Sequence, residues 1–186
     1  WFQWLKLPHR EVYLKELGHM KLKAITSVDS RNQETMKKSL KYGISVLNDI
    51  SAFSTKKSQD ILFKNNVCGV IMHMQKVPKI MQHNPKYFFP PIDIYNFFEK
   101  KINYLLSLGI KSSQIIIDPG FGFGKSLNHN LILLNYLPMF HALGVPIAVG
   151  LSRKSLIEEI STKNFKSFNE KNNLFSPEKR LGGSIA

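Results

Sequence analysis

Within nine residues, Asp118-Pro119-Gly120-Phe121-Gly122-Phe123-Gly124-Lys125-Ser126 sets out a carboxylate, three alternating glycines, an ammonium and a hydroxyl. The apolar run Ile115-Ile116-Ile117 leads straight into it, which predicts a buried strand ending in a charge and then a sharply turning loop. A carboxylate at the mouth of a buried strand needs a partner to offset its desolvation, and a ligand is one candidate. A phosphate-cradling loop is the first reading to test. It requires a glycine five positions before Gly124-Lys125-Ser126, where this chain has Pro119. The dinucleotide pattern G-x-G-x-x-G fails as well, because Gly120, Gly122 and Gly124 alternate strictly.

Other polar clusters follow apolar runs in the same way: Asp29-Ser30, Asn48-Asp49, His73-Met74-Gln75 and Ser152-Arg153-Lys154. Each has a plain structural reading. Asp29 suits a helix cap, Asn48-Asp49 a turn, and His73 a satisfied core histidine. His129 suits the first turn of a helix. Phe121 and Phe123 suit a core, and Arg153-Lys154 a solvated pair. Cys68 precedes Gly69-Val70-Ile71-Met72 and reads as a buried structural thiol.

The elements that would position these groups alternate along the chain. Strands are expected at Lys23–Val28, Ile44–Leu47, Cys68–Met72, Ile115–Ile117 and Pro146–Gly150. Helices are expected at Gln33–Tyr42, Ser58–Asn65, Ile92–Leu108 and Asn130–Leu143, with Pro138 kinking or dividing the last. A loop holding Pro78, Pro85, Pro90 and Pro91 precedes the third helix. Strand–helix alternation at this spacing predicts an α/β fold with a parallel sheet. Polar groups at the carboxyl ends of five successive strands favour a TIM (β/α)8 barrel over a doubly wound sheet, which would gather them at one switch point. About five of eight βα units are legible, and a complete barrel takes about 250 residues. The expectation is therefore one incomplete barrel domain over residues 1–186, truncated at both ends. Ser161–Lys179, rich in Asn and Lys, is expected as a flexible surface segment.

Composition bounds the rest. The 186 residues are 43% hydrophobic and 21% charged, as in a soluble globular domain. No apolar run approaches the ~20 residues that span a membrane, so no membrane partner is expected. Cys68 is the single cysteine, which excludes an internal disulfide and fits a reducing cytoplasm. The net charge of +13 raises nucleic acid as a partner. The positive charge is nearly all scattered lysine, however, with arginine only at positions 10, 31, 153 and 180. Base readers and bidentate phosphate clamps favour arginine, so a solvated surface is the preferred reading. An anionic small substrate would gain from the same field.

Taken in order, six segments resemble the dihydropteroate synthases, the pterin-binding barrel enzymes of folate synthesis. They are Ser27-Val28-Asp29-Ser30, Leu47-Asn48-Asp49-Ile50, Met72-His73-Met74-Gln75, Asp118 through Lys125, Ser152-Arg153-Lys154-Ser155, and Arg180 with Gly183-Ser184-Ile185-Ala186. The resemblance runs from about Ser27 to the end. It implies condensation of 6-hydroxymethyl-7,8-dihydropterin pyrophosphate with p-aminobenzoate, giving 7,8-dihydropteroate and pyrophosphate. Asp118 and Lys154 are the implied catalytic pair: Asp118 takes the 2-amino/N3 edge of the pterin and Lys154 its O4/N5 side. Asn48 and Asp29 take the other ring edge, and Met72 packs on the ring face. Phe123, Lys125 and Ser152 lie toward p-aminobenzoate and the pyrophosphate. The chemistry suits the residues, since a carboxylate accepts both parallel N–H groups of the 2-amino/N3 edge and a lysine supplies the donor that O4 needs. Magnesium is the implied cofactor, with its usual protein ligand in a segment before this chain, and the complete protein is implied to be a homodimer.

The chain departs from the family pattern at two loop positions, where Lys76 and Glu158 stand in place of usual glycines. It also lacks the family's asparagine for magnesium and pyrophosphate, its Thr-Arg-Pro-Gly loop and its Arg-x-His. The chain by itself is accordingly expected to be inactive. The competing readings are a non-catalytic pterin-binding remnant, a methyltetrahydrofolate-binding methyl-transfer domain, against which Ser152-Arg153-Lys154-Ser155 argues, and a basic nucleic-acid-binding protein.

Overall fold

The computed structural model describes residues 25–151 and Ile157. Within them, strand and helix alternate: β1 (Ser27–Asp29), α1 (Gln33–Leu40), β2 (Val46–Asp49), α2 (Lys56–Lys64), β3 (Cys68–Met72), α3 (Pro90–Ser107), β4 (Ile115–Asp118) and α4 (Leu127–Asn135). Short 3-10 turns lie at Ser112–Gln114 and Leu137–Leu143. The sheet order is β1-β2-β3-β4. Strands β1 to β3 are parallel, with Asp29 beside Asn48 and Asn48 beside Val70. Two compact units divide the chain.

The first unit runs to Met72 and resumes over Ile102–Ile116. Local chemistry starts its helices. The Asn32 carboxamide accepts from Glu34 N and Thr35 N at 2.9 and 3.2 Å, and the Thr55 hydroxyl accepts from Ser58 N at 3.2 Å, so orphan N–H groups at both helix starts are satisfied. Met36, Leu47, Phe53, Ile61, Leu62 and Ile71 form its core. Gly69 allows close packing in β3, because a Cβ there would meet Leu62 at 2.7 Å and Phe53 at 2.9 Å. Gln114, buried just before β4, gathers the far end of α2. Its Nε2 donates to the carbonyls of Leu62, Asn65 and Val67 at 2.9, 2.9 and 3.2 Å.

The second unit comprises His73–Lys101 and the chain from Ile117 onward. Pro90 and Pro91 sit in the first turn of α3, where a missing N–H costs nothing, rather than in the preceding loop. Asp93 reaches back to accept from Phe88 N and Phe89 N at 2.8 and 3.1 Å. Phe98 meets Phe140 edge-on, ring centroids 6.0 Å apart.

Among the boundaries that differ from expectation, three have a clear physical reason. The second strand is Val46–Asp49 rather than Ile44–Leu47. Apolarity at Ile44 reports burial, at 3% exposure, whereas pairing extends through the polar Asn48 and Asp49. The fourth helix begins at Leu127, because Ser126 caps it, and Pro138 does divide the expected element, with the 3-10 turn following. The strand expected at Pro146–Gly150 reduces to one bridge, Ile147 to Ile117. Ile117 N donates to Pro146 O at 3.0 Å and Ala148 N to Ile117 O at 2.8 Å. Lys23 and Ala24 of the first expected strand, and Ser161–Lys179, lie outside the described residues.

Candidate functional site

In the first unit, the register of β1 and β2 sets Asp29 beside Asn48. The Asn48 side chain hydrogen-bonds the Asp29 carboxylate, which lowers its pKa, but burial is the larger influence and the carboxyl sits above its ordinary range. Asp29 is nonetheless exposed at the strand end, and water there screens the effect. With its amide N–H groups directed at Asp29, Asn48 is left with a buried Oδ1 that has no hydrogen-bond partner. Such an atom costs about 1–3 kcal/mol unless a donor reaches it. A carboxylate beside an unmatched amide oxygen forms a paired acceptor suited to a ligand edge rich in N–H groups.

Asp49 holds that pair's strand end in place, and sequence reasoning saw in it only a turn residue. It is buried. Its Oδ1 accepts from Ser51 N at 2.8 Å and Ser51 Oγ at 2.6 Å, and its Oδ2 from Phe53 N at 3.1 Å. Ala52 and Phe53, at φ 52° and 50°, are two consecutive non-glycine residues in the left-handed region, a conformation that persists only when surrounding contacts impose it. Met72, expected on a ring face, ends β3 at 3% exposure.

In the second unit, Asp118 is half-buried at the end of β4. Its Oδ1 accepts from Gly120 N at 2.8 Å, and its carbonyl accepts from His73 N at 3.0 Å. The glycine loop then folds on itself, with Gly120, Gly122 and Gly124 at φ 70°, 76° and 61°. A side chain at Gly124 would be crowded, since a Cβ would lie 3.1 Å from the Gln75 backbone. Gly120 N points to Asp118, Gly122 N to Asn130 Oδ1 at 2.9 Å and Phe123 N to Gly120 O at 3.0 Å. N–H groups used in this way do not form an anion nest, which agrees with the failed phosphate-loop spacing.

Lys125, expected to face a second substrate, turns inward instead. It is 3% exposed, and its ammonium donates to Gly120 O at 2.8 Å, Phe123 O at 3.1 Å, His73 Nδ1 at 3.1 Å and His73 O at 3.3 Å. A buried charge is tolerated only when so matched. Burial first, and the Lys125 charge second, push His73 down to about 3. It is therefore a neutral imidazole whose Nδ1 accepts. The same two causes lower His129, which has the capping role: its Nδ1 accepts from Ser126 N at 3.3 Å, and its own N donates to Ser126 Oγ at 3.2 Å. The two loop phenylalanines separate, with Phe121 fully buried and Phe123 half-buried. Tyr87 donates its hydroxyl to Gly124 O at 2.9 Å, and burial, with Asp93 nearby, raises its pKa. Cys68 is half-buried, its Sγ 3.6 Å from Ser113 O. Ser152 and Lys154 lie outside the described residues.

Among the described residues no three His, Cys, Asp or Glu side chains converge on a metal position, and no helix is long and apolar enough to cross a membrane.

Comparison with known proteins supplies the chemical context. The family model described as pterin binding enzyme matches residues 12–186. The dihydropteroate synthase of Haemophilus influenzae is 39% identical over 155 residues, covering 83% of this chain and 56% of that protein. The Escherichia coli dihydropteroate synthase is 35% identical over 160 residues, covering 86% and 52%. Among solved structures, the Yersinia pestis dihydropteroate synthase with a sulfonamide drug superposes with a TM-score of 0.83 at 29% identity, over 97% of this chain and 63% of that one. The Thermus thermophilus dihydropteroate synthase in complex with 6HMPPP gives 0.80 at 34% identity, over 92% and 64%. The chain spans about half the length of the curated relatives it matches.

Proposed function

The chain belongs to the pterin-binding enzyme family and carries that family's (β/α) barrel in part, and from this premise we propose that it serves the dihydropteroate synthase reaction. In that reaction the amine of p-aminobenzoate attacks the methylene carbon of 6-hydroxymethyl-7,8-dihydropterin pyrophosphate. A C–N bond forms, the C–O bond to pyrophosphate breaks, and the amine releases a proton. Relatives solved with 4-aminobenzoate, 6HMPPP and 7,8-dihydropteroate support this choice of substrates and product.

The observation that carries the reading is the unmatched, buried Oδ1 of Asn48 beside the Asp29 carboxylate. A dihydropterin offers N–H donors along its ring edge, and a donor there would remove the desolvation cost. In this reading Asp29 and Asn48 take one ring edge, Asp118 the 2-amino/N3 edge and Lys154 the O4/N5 side. Met72 lies on the ring face, and Phe123 and Ser152 toward p-aminobenzoate. Charged hydrogen bonds of this kind contribute about 1.5–3 kcal/mol each. As pyrophosphate leaves, positive charge grows on the pterin, and the carboxylates stabilise it electrostatically. Magnesium would neutralise the leaving phosphates, held chiefly by them. Among the described residues no three His, Cys, Asp or Glu side chains gather to hold it, and no step above depends on it. A homodimer in the cytoplasm completes the proposal.

The test is calorimetric titration of the chain with 6-hydroxymethyl-7,8-dihydropterin pyrophosphate. Asn48→Ala and Asp118→Asn are expected to weaken binding at least tenfold each, which is about 1.4 kcal/mol. Unchanged affinity in both would refute the assigned contacts.

A further inference from the structure

We propose that Lys125 is a positioning residue, a buried internal cation that fixes the direction in which Asp118 is presented. The inference rests on the pterin reading of Asp118 and adds to it a residue whose ammonium is buried among protein acceptors.

Gly120 and His73 both hold Asp118. Gly120 N grips its carboxylate Oδ1 at 2.8 Å, and His73 N grips its carbonyl at 3.0 Å. Lys125 binds both of those residues through other atoms. Its Nζ lies 2.8 Å from Gly120 O, and 3.1 and 3.3 Å from His73 Nδ1 and His73 O. One ammonium thus ties together the two residues that hold Asp118, and a fourth contact, to Phe123 O at 3.1 Å, closes the glycine loop. Gly120, Gly122 and Gly124 all take positive φ, so the loop has little intrinsic preference for this path. A point charge with three rotatable donors suits four acceptors gathered in a small volume. The arrangement also dictates a tautomer: His73 carries its proton on Nε2, because Nδ1 must accept.

The experiment compares Lys125→Met with Tyr87→Phe in the full-length protein. Tyr87 ties the same loop at Gly124 O, and its ring packs on His73 with centroids 5.9 Å apart, a contact that phenylalanine keeps, so Tyr87→Phe removes only the loop tie. Folding is checked by thermal melting, and binding of 6-hydroxymethyl-7,8-dihydropterin pyrophosphate by calorimetry. Lys125→Met should bind at least tenfold more weakly, whereas Tyr87→Phe should stay within about threefold. Equal losses in the two variants, or a folded Lys125→Met that binds within twofold, overturn the positioning role while the pterin reading stands. Failure of the unsubstituted protein to bind this ligand overturns both. If Lys125→Met does not fold, the 15N resonances of His73 in the unsubstituted protein decide. An unprotonated Nδ1 with a proton on Nε2 is required, and a protonated Nδ1 overturns the proposal.

Discussion

Asp49→Ala should remove a large part of this chain's stability without touching its hydrophobic core. The carboxylate accepts three hydrogen bonds, two from Ser51 and one from Phe53 N. Ser51 is only half-buried, so its two donors regain water, and each lost bond costs about 1 kcal/mol. Phe53 is fully buried, and its stranded N–H adds about 1–3 kcal/mol. The left-handed Ala52 and Phe53 lose their clamp and relax, which returns part of the total, since such residues store about 1–3 kcal/mol each. The net expectation is a loss of about 3 kcal/mol, against a typical domain stability of about 5–15 kcal/mol. Asp49→Asn should cost less, about 1–2 kcal/mol, because it keeps the Ser51 acceptor and faces Phe53 N with a donor. Urea unfolding followed by circular dichroism gives the numbers. The reasoning is refuted if both variants unfold within 0.5 kcal/mol of the unsubstituted chain.

Two further predictions concern pH and backbone strain. His73 is held near 3 in the folded chain against about 6.5 unfolded, so below pH 6.5 the unfolded state takes up the extra proton. Stability should be full above that value and fall toward pH 3, with a slope approaching about 1.4 kcal/mol per pH unit. Asp29, raised by burial, acts in the opposite sense. Acid unfolding of His73→Gln should be flatter, and an equally steep profile would exclude His73 as the source. Lys76 occupies φ 60°, which a side chain disfavours. Lys76→Gly is therefore expected to raise stability by about 1 kcal/mol in the same urea assay, and a loss would show that the Lys76 contact to His83 O outweighs the strain.

What the sequence made legible was the alternation of apolar runs with polar punctuation, because strand ends announce themselves locally. Asp29, Asn48 and Asp118 emerged from that pattern, and the structure puts the first two side by side. The burial of Lys125 was not legible because its surroundings are assembled from afar. Its acceptor His73 lies 52 positions away, and no window around a lysine reveals that its charge will be buried. Asp49 shows the complementary limit: a turn residue was foreseen, but not the two left-handed positions that its carboxylate supports. Apolar Ile147 predicted a strand, and one bridge is what formed, because apolarity specifies burial better than it specifies pairing.

The Gln114 contacts bear on a problem of information. Ile115, Ile116 and Ile117 are identical, so this strand cannot state its own alignment: sliding by one residue exchanges isoleucine for isoleucine while turning every side chain to the opposite face. An alignment that the strand does not encode must come from its flanks. Gln114 supplies it, because an amide that reaches three carbonyls, those of Leu62, Asn65 and Val67, fits one placement and loses all three partners on a slip. A single polar side chain thereby acts as the start mark from which the isoleucines are counted, and the count ends on Asp118.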